Sequence, residues 1–222
     1  MTTDITVRGQ AHDVRDPDRA VLSVHVSAEA RDWAEAHIAV SAALATLNAS
    51  ITALQTAKPN ALERFSVEQS YQSSWETKGG QWFRETVAVT LRFTDFAAMS
   101  EWAFGNTNPL VQMGHVSWEL SPQVQDTVRR ELGQAAVRDA RDRADNFAAA
   151  AGLKIVAVQA LADPGLLVGA PANGSSFGAA SYAASPAMFT RAMDGASGAQ
   201  VIDLTPDVIE TTASVEAHFL AE

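Results

Sequence analysis

Two long segments of alternating residues meet at a pair of glycines near the middle of the chain. In the first segment, Phe65, Val67, Gln69 and Tyr71 occupy every second position of a stretch that reaches about Trp75. The return segment places Phe83, Glu85, Val87, Val89, Leu91 and Phe93 on one side. Thr77-Lys78-Gly79-Gly80 joins the two segments, and glycine supplies the positive φ values that tight hairpins need. The pattern predicts a long antiparallel hairpin that needs further strands around it.

Five other segments also have the character of strands. Residues 5–10, 22–28, 116–120 and 209–219 alternate between apolar and polar side chains, which is typical of strands with one buried face. Residues 155–162 are apolar on both faces, so we expect a strand that is buried on both sides.

Two helices are predicted in the first half of the chain. Asp32 can cap a helix that ends before Pro59, with Glu35 three residues after the cap. Its predicted stripe consists of Trp33, His37, Val40, Leu44, Leu47, Ile51 and Leu54, with His37 as the polar exception. Asp95 can cap a short helix that reaches about Phe104 and closes at Gly105.

A third, longer helix is predicted from Ser121-Pro122 to Gly152, with serine as the cap and proline at the first helical position. Its core stripe is Val124, Val128, Leu132, Ala135, Ala136, Ala140, Ala144, Phe147 and Ala151. The small residues in this stripe indicate close approach to a neighbouring element.

Together these elements predict an α+β fold in which a mostly antiparallel sheet packs against two long helices. A long Ala/Gly/Ser-rich loop, residues 165–200, precedes the last strand and has few charges and weak periodicity. We expect one domain over residues 1–222, with residues 165–200 as a flexible loop within it. Loops of this length are usually functional or disordered.

Charge and composition exclude several classes of protein. The net charge is −10, from 26 acidic and 16 basic residues, so we expect no nucleic-acid partner. The absence of cysteine excludes disulfides, thiolate catalysis and Cys-type zinc sites. The N-terminus has no secretory signal pattern, and no run of about 18 apolar residues is present. We therefore expect a cytoplasmic protein without membrane insertion.

Several spaced segments resemble the SIMPL family, often called DUF541. The opening Val7-Arg8-Gly9 and Pro17-Asp18-Arg19-Ala20 resemble the family's V-x-G and P-D-x-A elements. The long helix, with Ala135-Ala136 and its end at Ala151-Gly152-Leu153, is similar to the family's A-x-x-D-A-x-x-R-A helix. Ala34 and Ala36, Val87-Ala88-Val89, Leu204-Thr205-Pro206 and Ala213-Ser214-Val215 also match in order and spacing. The resemblance covers nearly the whole chain. It implies a mostly bacterial, often exported family with an undefined biochemical role, in which some members oligomerise or are linked to stress protection.

The candidate catalytic and metal-binding residues favour structural interpretations. The five histidines lack metal-ligand spacing, although His25 and His218 could form a metal or pH-sensing pair if their strands were neighbours. Ser175-Ser176 lies in a glycine-containing tract without the lysine and following helix of a phosphate loop. Acidic pairs such as Asp16 with Asp18 occur in turn or solvated-helix contexts. We predict no catalytic residue, no cofactor and no metal.

Interaction residues are predicted at two places. Trp75 and Trp82 flank the hairpin turn, where they either stabilise the hairpin by stacking or form an apolar tip that contacts another subunit. Phe177, Tyr182 and Phe189 lie in the 165–200 segment, which is either a disordered loop or an arm that orders on a neighbouring subunit.

Two functions remain open. The first is a non-enzymatic domain that forms homo-oligomers and acts as a scaffold or a stress-protective protein. The alternative is a small-molecule binding module or enzyme with a pocket between the sheet and the long helix, whose ligand the sequence does not identify.

Overall fold

The computed structural model describes residues 2–167, 187–188 and 206–222, with backbone alone at 187–188. Its strands are β1 (Thr3–Arg15), β2 (Arg19–Ala30), β3 (Leu62–Thr77), β4 (Gly80–Phe93), β5 (Val111–Glu119), β6 (Ile155–Ala162), β7 (Ala187–Met188) and β8 (Ile209–Ala221). Its helices are α1 (Trp33–Ala57), α2 (Phe96–Gly105) and α3 (Pro122–Ala150). The predicted α+β class, with antiparallel sheets and two long helices, is confirmed. The predicted 165–200 loop lies almost wholly outside the described residues.

The chain forms two compact units. The first unit comprises Met1–Asp16, Leu120–Ala183 and Val208–Glu222, and the second comprises Pro17–Glu119 and Ala184–Asp207. The expectation of one domain over residues 1–222 stays a prediction.

In the first unit, α3 covers one face of a three-stranded antiparallel sheet in the order β1-β8-β6. β1 pairs with β8 along its full length, from Thr3 opposite Ala221 to Arg15 opposite Ile209. Alanines of α3 and residues of β1 and β8 share the core, which contains Val7, Ala140, Ala144, Ala217 and Phe219. The predicted close approach of this helix is confirmed, since Gly9 packs directly against its backbone.

The predicted stripe of α3 is right through its middle and wrong near its end. Val128, Leu132, Ala136, Ala140 and Ala144 are buried as expected. After Ala144 the next buried residue is Ala148, four residues further along the helix, whereas Phe147 is exposed. At this turn the small residue Ala148, rather than the larger and more apolar Phe147, occupies the buried position.

The prediction that β6 is buried on both faces is wrong. β6 is an edge strand, and Val156, Val158 and Leu161 are 53%, 48% and 50% exposed. The physical reason is that α3 packs mainly on β1 and β8 and scarcely reaches β6. Two bulges, at residues 155–157 and 158–160, also interrupt the pairing of β6 with β8.

In the second unit, α1 packs on a five-stranded antiparallel sheet in the order β3-β4-β2-β5-β7. The core is built from alternate residues of the central strands, among them Leu22, Val24, Val89, Leu91 and Phe93. The predicted hairpin is confirmed, with Thr77 opposite Gly80 and a positive φ of 105° at Gly80. The predicted caps at Asp32 and Asp95 are also confirmed, since their side chains accept from the amides of Ala34 and Ala98.

The α1 stripe holds in its middle, where Val40, Leu47 and Ile51 are buried together with Ala36 and Ala43. Its first turn departs from the prediction, since Trp33 is 36% exposed and the side chain of His37 is 66% exposed. α1 is also long and apolar enough, by length and composition alone, to cross a membrane, with mean hydropathy 1.4 over 18 residues. The many alanines of α1 raise this mean hydropathy, although polar residues interrupt any continuous run of about 18 apolar residues. Core helices of soluble proteins and signal sequences meet the same criterion.

A bulge in β3 changes which of its side chains share a face. Val67 is opposite Val89 but Ser70 is opposite Val87, so one extra residue lies between them. Tyr71 therefore pairs with Thr86 on the face opposite to Val67. The prediction that Phe65, Val67, Gln69 and Tyr71 share one face is wrong for Tyr71, because strict alternation ends at the bulge.

Candidate functional site

The tip of the β3–β4 hairpin brings Trp75 and Trp82 together as direct partners. Each ring is covered by a guanidinium group. Arg31 lies 4.1 Å from the centroid of Trp82, and Arg84 lies 5.0 Å from that of Trp75. Arg31 also donates to the carbonyl oxygen of Gly79 in the turn, at 2.5 Å. These contacts place a cation on each ring at the turn, and both alternatives for the pair, stacking within the hairpin and contact with another subunit, stay predictions.

The other predicted interaction residues, Phe177, Tyr182 and Phe189, lie outside the described residues, as does the tract with Ser175-Ser176. The two histidines proposed as a pair lie on strands that are not neighbours in a sheet. His25 is on β2 of the second unit, whereas His218 is on β8 of the first unit and lies 3.5 Å from Asp4. Within residues 2–167, 187–188 and 206–222, no group of three potential metal ligands occurs.

A buried carboxylate that the sequence analysis did not assign lies between α1, β3 and β4. The side chain of Glu85 is 5% exposed, and its two oxygens are each 3.0 Å from a polar partner, Nδ1 of His37 and Oγ of Ser70. Since a carboxylate accepts, Ser70 Oγ donates to it, and Nδ1 of His37 carries a proton. Glu85 thus joins the first half of α1 to the edge strand.

The order of these three groups decides what they can do chemically. In a nucleophilic triad, histidine lies between the hydroxyl and the carboxylate and removes the hydroxyl proton. Here Glu85 lies between Ser70 and His37, so His37 has no contact that would activate Ser70. The signal for this cluster was present in the sequence: Glu85 and His37 are the polar exceptions in two otherwise apolar patterns.

A second buried carboxylate, Glu216, lies on the sheet of the first unit. Its side chain is 7% exposed and accepts from Nη2 of Arg8 at 2.8 Å. The hydrogen bond from Arg8 holds the pKa of Glu216 below its ordinary value, against the opposing effect of burial. Backbone amides of Gly165 and Leu167 lower this pKa further.

An open cleft of about 390 Å³ lies in the second unit, between α1, the end of α2 and the start of β5. Its lining consists of Thr46, Leu47, Ser50, Trp102, Gly105, Asn106, Thr107, Asn108 and Val111. None of these side chains is ionisable. The pocket considered from the sequence lies between the sheet and the long helix instead, and no sequence motif marks the position of this cleft.

No curated protein sequence matches this chain. The family described as SIMPL, protein of unknown function (DUF541), matches residues 5–219. This range takes in almost every element described above, from β1 to β8. The chain therefore belongs to the SIMPL (DUF541) family.

Proposed function

We propose that this SIMPL protein is a non-enzymatic domain that associates with copies of itself and acts as a scaffold or a protective protein. The observation that carries the proposal is the conflict at β6 between composition and exposure. The composition of β6 is typical of a core strand, yet three of its large apolar side chains are about half exposed. Burial by another subunit resolves this conflict, because apolar surface gains free energy when it leaves water.

The charge of the chain favours a contact through β6. A twofold-symmetric interface brings the same patch of both copies together, so in a chain with net charge −10 a patch with acidic residues tends to meet like charges. Among the described strands longer than two residues, β6 is the one without an ionisable side chain. A second copy therefore meets no like charge within this strand.

The register of β6 indicates which side chains would be buried. Val158 and Leu161 are opposite Phe219 and Ala217, on the face of the sheet that α3 covers. They lie at the edge where no further strand of the described residues pairs with β6, rather than under the helix, so two copies aligned edge to edge would join their exposed apolar surfaces. Because the bulges disturb the backbone of this edge, side-chain burial contributes more here than a continuous ladder of hydrogen bonds.

Light scattering over a range of concentrations tests the proposal. Val158→Lys and Leu161→Lys are each expected to shift the protein towards monomer, because a lysine would be buried at the contact. Ile38→Lys is the matched control, since Ile38 is a comparably exposed apolar residue on α1. A wild-type protein that is monomeric at high concentration would refute self-association. If only Ile38→Lys caused dissociation, the contact between subunits would lie on α1 rather than on β6.

The same measurement addresses the two alternatives at the hairpin. If Trp75 and Trp82 contact another subunit, Trp75→Ser and Trp82→Ser weaken association. If they only stabilise the hairpin, these variants lower stability and leave the associated mass unchanged. Deletion of residues 165–200 tests in parallel whether that segment holds subunits together.

A further inference from the structure

The cleft of the second unit combines an apolar floor with a polar, uncharged rim. Leu47, Trp102 and Val111 contribute the apolar surface, while Asn106, Thr107 and Asn108 contribute amide and hydroxyl groups from the loop after α2. Pockets for small ligands commonly have this composition, with a few polar groups that fix orientation. A volume of about 390 Å³ is at the small end of such pockets.

The ring of Trp102 is held in a fixed position in the cleft. Its Nε1 donates to Oγ of Ser50 at 3.2 Å, and that hydroxyl donates to the carbonyl oxygen of Leu47 at 2.7 Å. The ring also lies 6.1 Å from the ring of Phe93. A ligand would therefore meet a pre-positioned aromatic surface whose polar atom is already satisfied.

The two asparagines at the rim are oriented by their own backbone contacts. Oδ1 of Asn106 accepts from the amide of Asn108 at 3.1 Å, and Oδ1 of Asn108 accepts from the amide of Leu110 at 3.0 Å. Since each oxygen already accepts one backbone amide, the two hydrogens of each NH₂ group outnumber the one acceptor position that remains on each oxygen. The rim is thus rich in donors and suits a ligand that presents oxygen acceptors.

The cleft does not suit a charged ligand. No lining side chain could pair with a charge, and an unpaired charge is costly to remove from water. We propose that the cleft binds an uncharged, polyhydroxylated ring compound of monosaccharide or disaccharide size. The apolar face of its ring would lie on Trp102, and its hydroxyl and ether oxygens would accept from Asn106 and Asn108.

Matched probes test the charge requirement. Saturation-transfer NMR with glucose, maltose and trehalose is expected to give signals at probe concentrations of about 10 mM, because ligands this small bind with millimolar affinity. Glucosamine and glucuronate keep the glucose ring but carry opposite charges, and both are expected to bind more weakly. No signal from any neutral probe, or equal signals from the charged probes, would overturn the proposal.

Three variants test the position of the site. Gly105→Leu is expected to obstruct the cleft, because Gly105 lines it and a Cβ there meets no atom within 4 Å, and binding should fall about tenfold or more. Gly133→Leu on α3 is the control, since a Cβ there also meets nothing within 4 Å and Gly133 does not line the cleft. Asn108→Asp keeps the oxygen that accepts from Leu110 and removes the NH₂ donor, so it should also weaken binding. Binding that survives both Gly105→Leu and Asn108→Asp places the sugar elsewhere and refutes the assignment.

Discussion

Gly9 on β1 packs against Ala140 on α3 so closely that no side chain fits between them. A Cβ added to Gly9 would lie 2.6 Å from the backbone nitrogen of Ala140 and 2.7 Å from its Cβ, and nearer still to the carbonyl oxygen of Ala136. The neighbouring atoms belong to the backbone of a long helix, so they cannot move aside independently. Gly9 therefore sets the distance between the sheet and the helix of the first unit.

We predict that Gly9→Ala destabilises the protein by about 3 kcal/mol or more, since overpacking typically costs 1–3 kcal/mol and here the contact is with backbone. Urea denaturation measures this change. Gly133→Ala on α3 is the matched control, because its Cβ would enter open space and alanine stabilises a helix interior by roughly 0.5–1 kcal/mol relative to glycine. A neutral Gly9→Ala would show that α3 can move away from the sheet.

The pair formed by Arg8 and Glu216 predicts a pH dependence of stability. Because Arg8 lowers the pKa of Glu216 in the folded state, the pair stabilises the protein above the unfolded pKa of about 4.3. That stabilisation is lost as the pH falls through the lower folded pKa. Arg8→Met leaves a buried carboxylate without its cation and is expected to cost about 1–3 kcal/mol at pH 7.

The difference between wild type and Arg8→Met should shrink on acidification, because protonation neutralises Glu216 in both proteins. Denaturation at pH 7 and at about pH 3 measures it, the lower value being below the unfolded carboxyl pKa of about 4.3. Glu216→Gln serves as the control with no charge to titrate at this position. A difference that stays constant with pH would mean that Arg8 acts through packing alone.

The contact between Arg31 and Trp82 predicts a measurable coupling energy. A double-mutant cycle with Arg31→Met and Trp82→Leu is expected to give about 0.5–1 kcal/mol, as for exposed cation–π pairs. The comparison cycle combines Arg31→Met with Trp75→Leu, whose ring is covered by Arg84 instead. Equal coupling in both cycles would mean that Arg31 acts on the turn through Gly79 rather than through the ring of Trp82.

Local features of this fold were predictable from the sequence because their causes are local. The turn at Gly79-Gly80 fixes Trp75 opposite Trp82, and the caps at Asp32 and Asp95 use amides two and three residues further along. Each of these features depends on residues that are close in sequence, so a local sequence pattern is enough to predict it.

The features that the sequence did not predict depend on distant elements. The composition of β6 indicates burial, but only the order of strands and the reach of α3 decide whether this strand is central or at an edge. The bulge after Val67 moves Tyr71 to the other face without any glycine or proline to signal it. The cleft brings α1, α2 and β5 together, and its uncharged lining residues form no motif.

The burial of Glu85 predicts that replacing Glu85 and replacing its partner His37 have different effects on the stability of the protein. His37→Ala takes one donor from a carboxylate that stays buried, and the expected loss is about 1–3 kcal/mol. Glu85→Met removes the buried charge itself, while His37 and Ser70 are exposed and can bond to water. Because apolar replacement of a buried charge is often neutral or stabilising, we expect Glu85→Met to cost less than His37→Ala.

Thermal and urea denaturation of the two variants at pH 7 measure this asymmetry. His25→Ala is the control, since His25 is an exposed histidine on the same sheet and its removal should change stability by no more than about 0.5 kcal/mol. The reverse order, with Glu85→Met the more harmful change, would show that the carboxylate holds α1 and β3 in place. In that case the hydrogen bond from Ser70 to Glu85 would account for the stabilisation, and Ser70→Ala should lower the stability nearly as much as Glu85→Met.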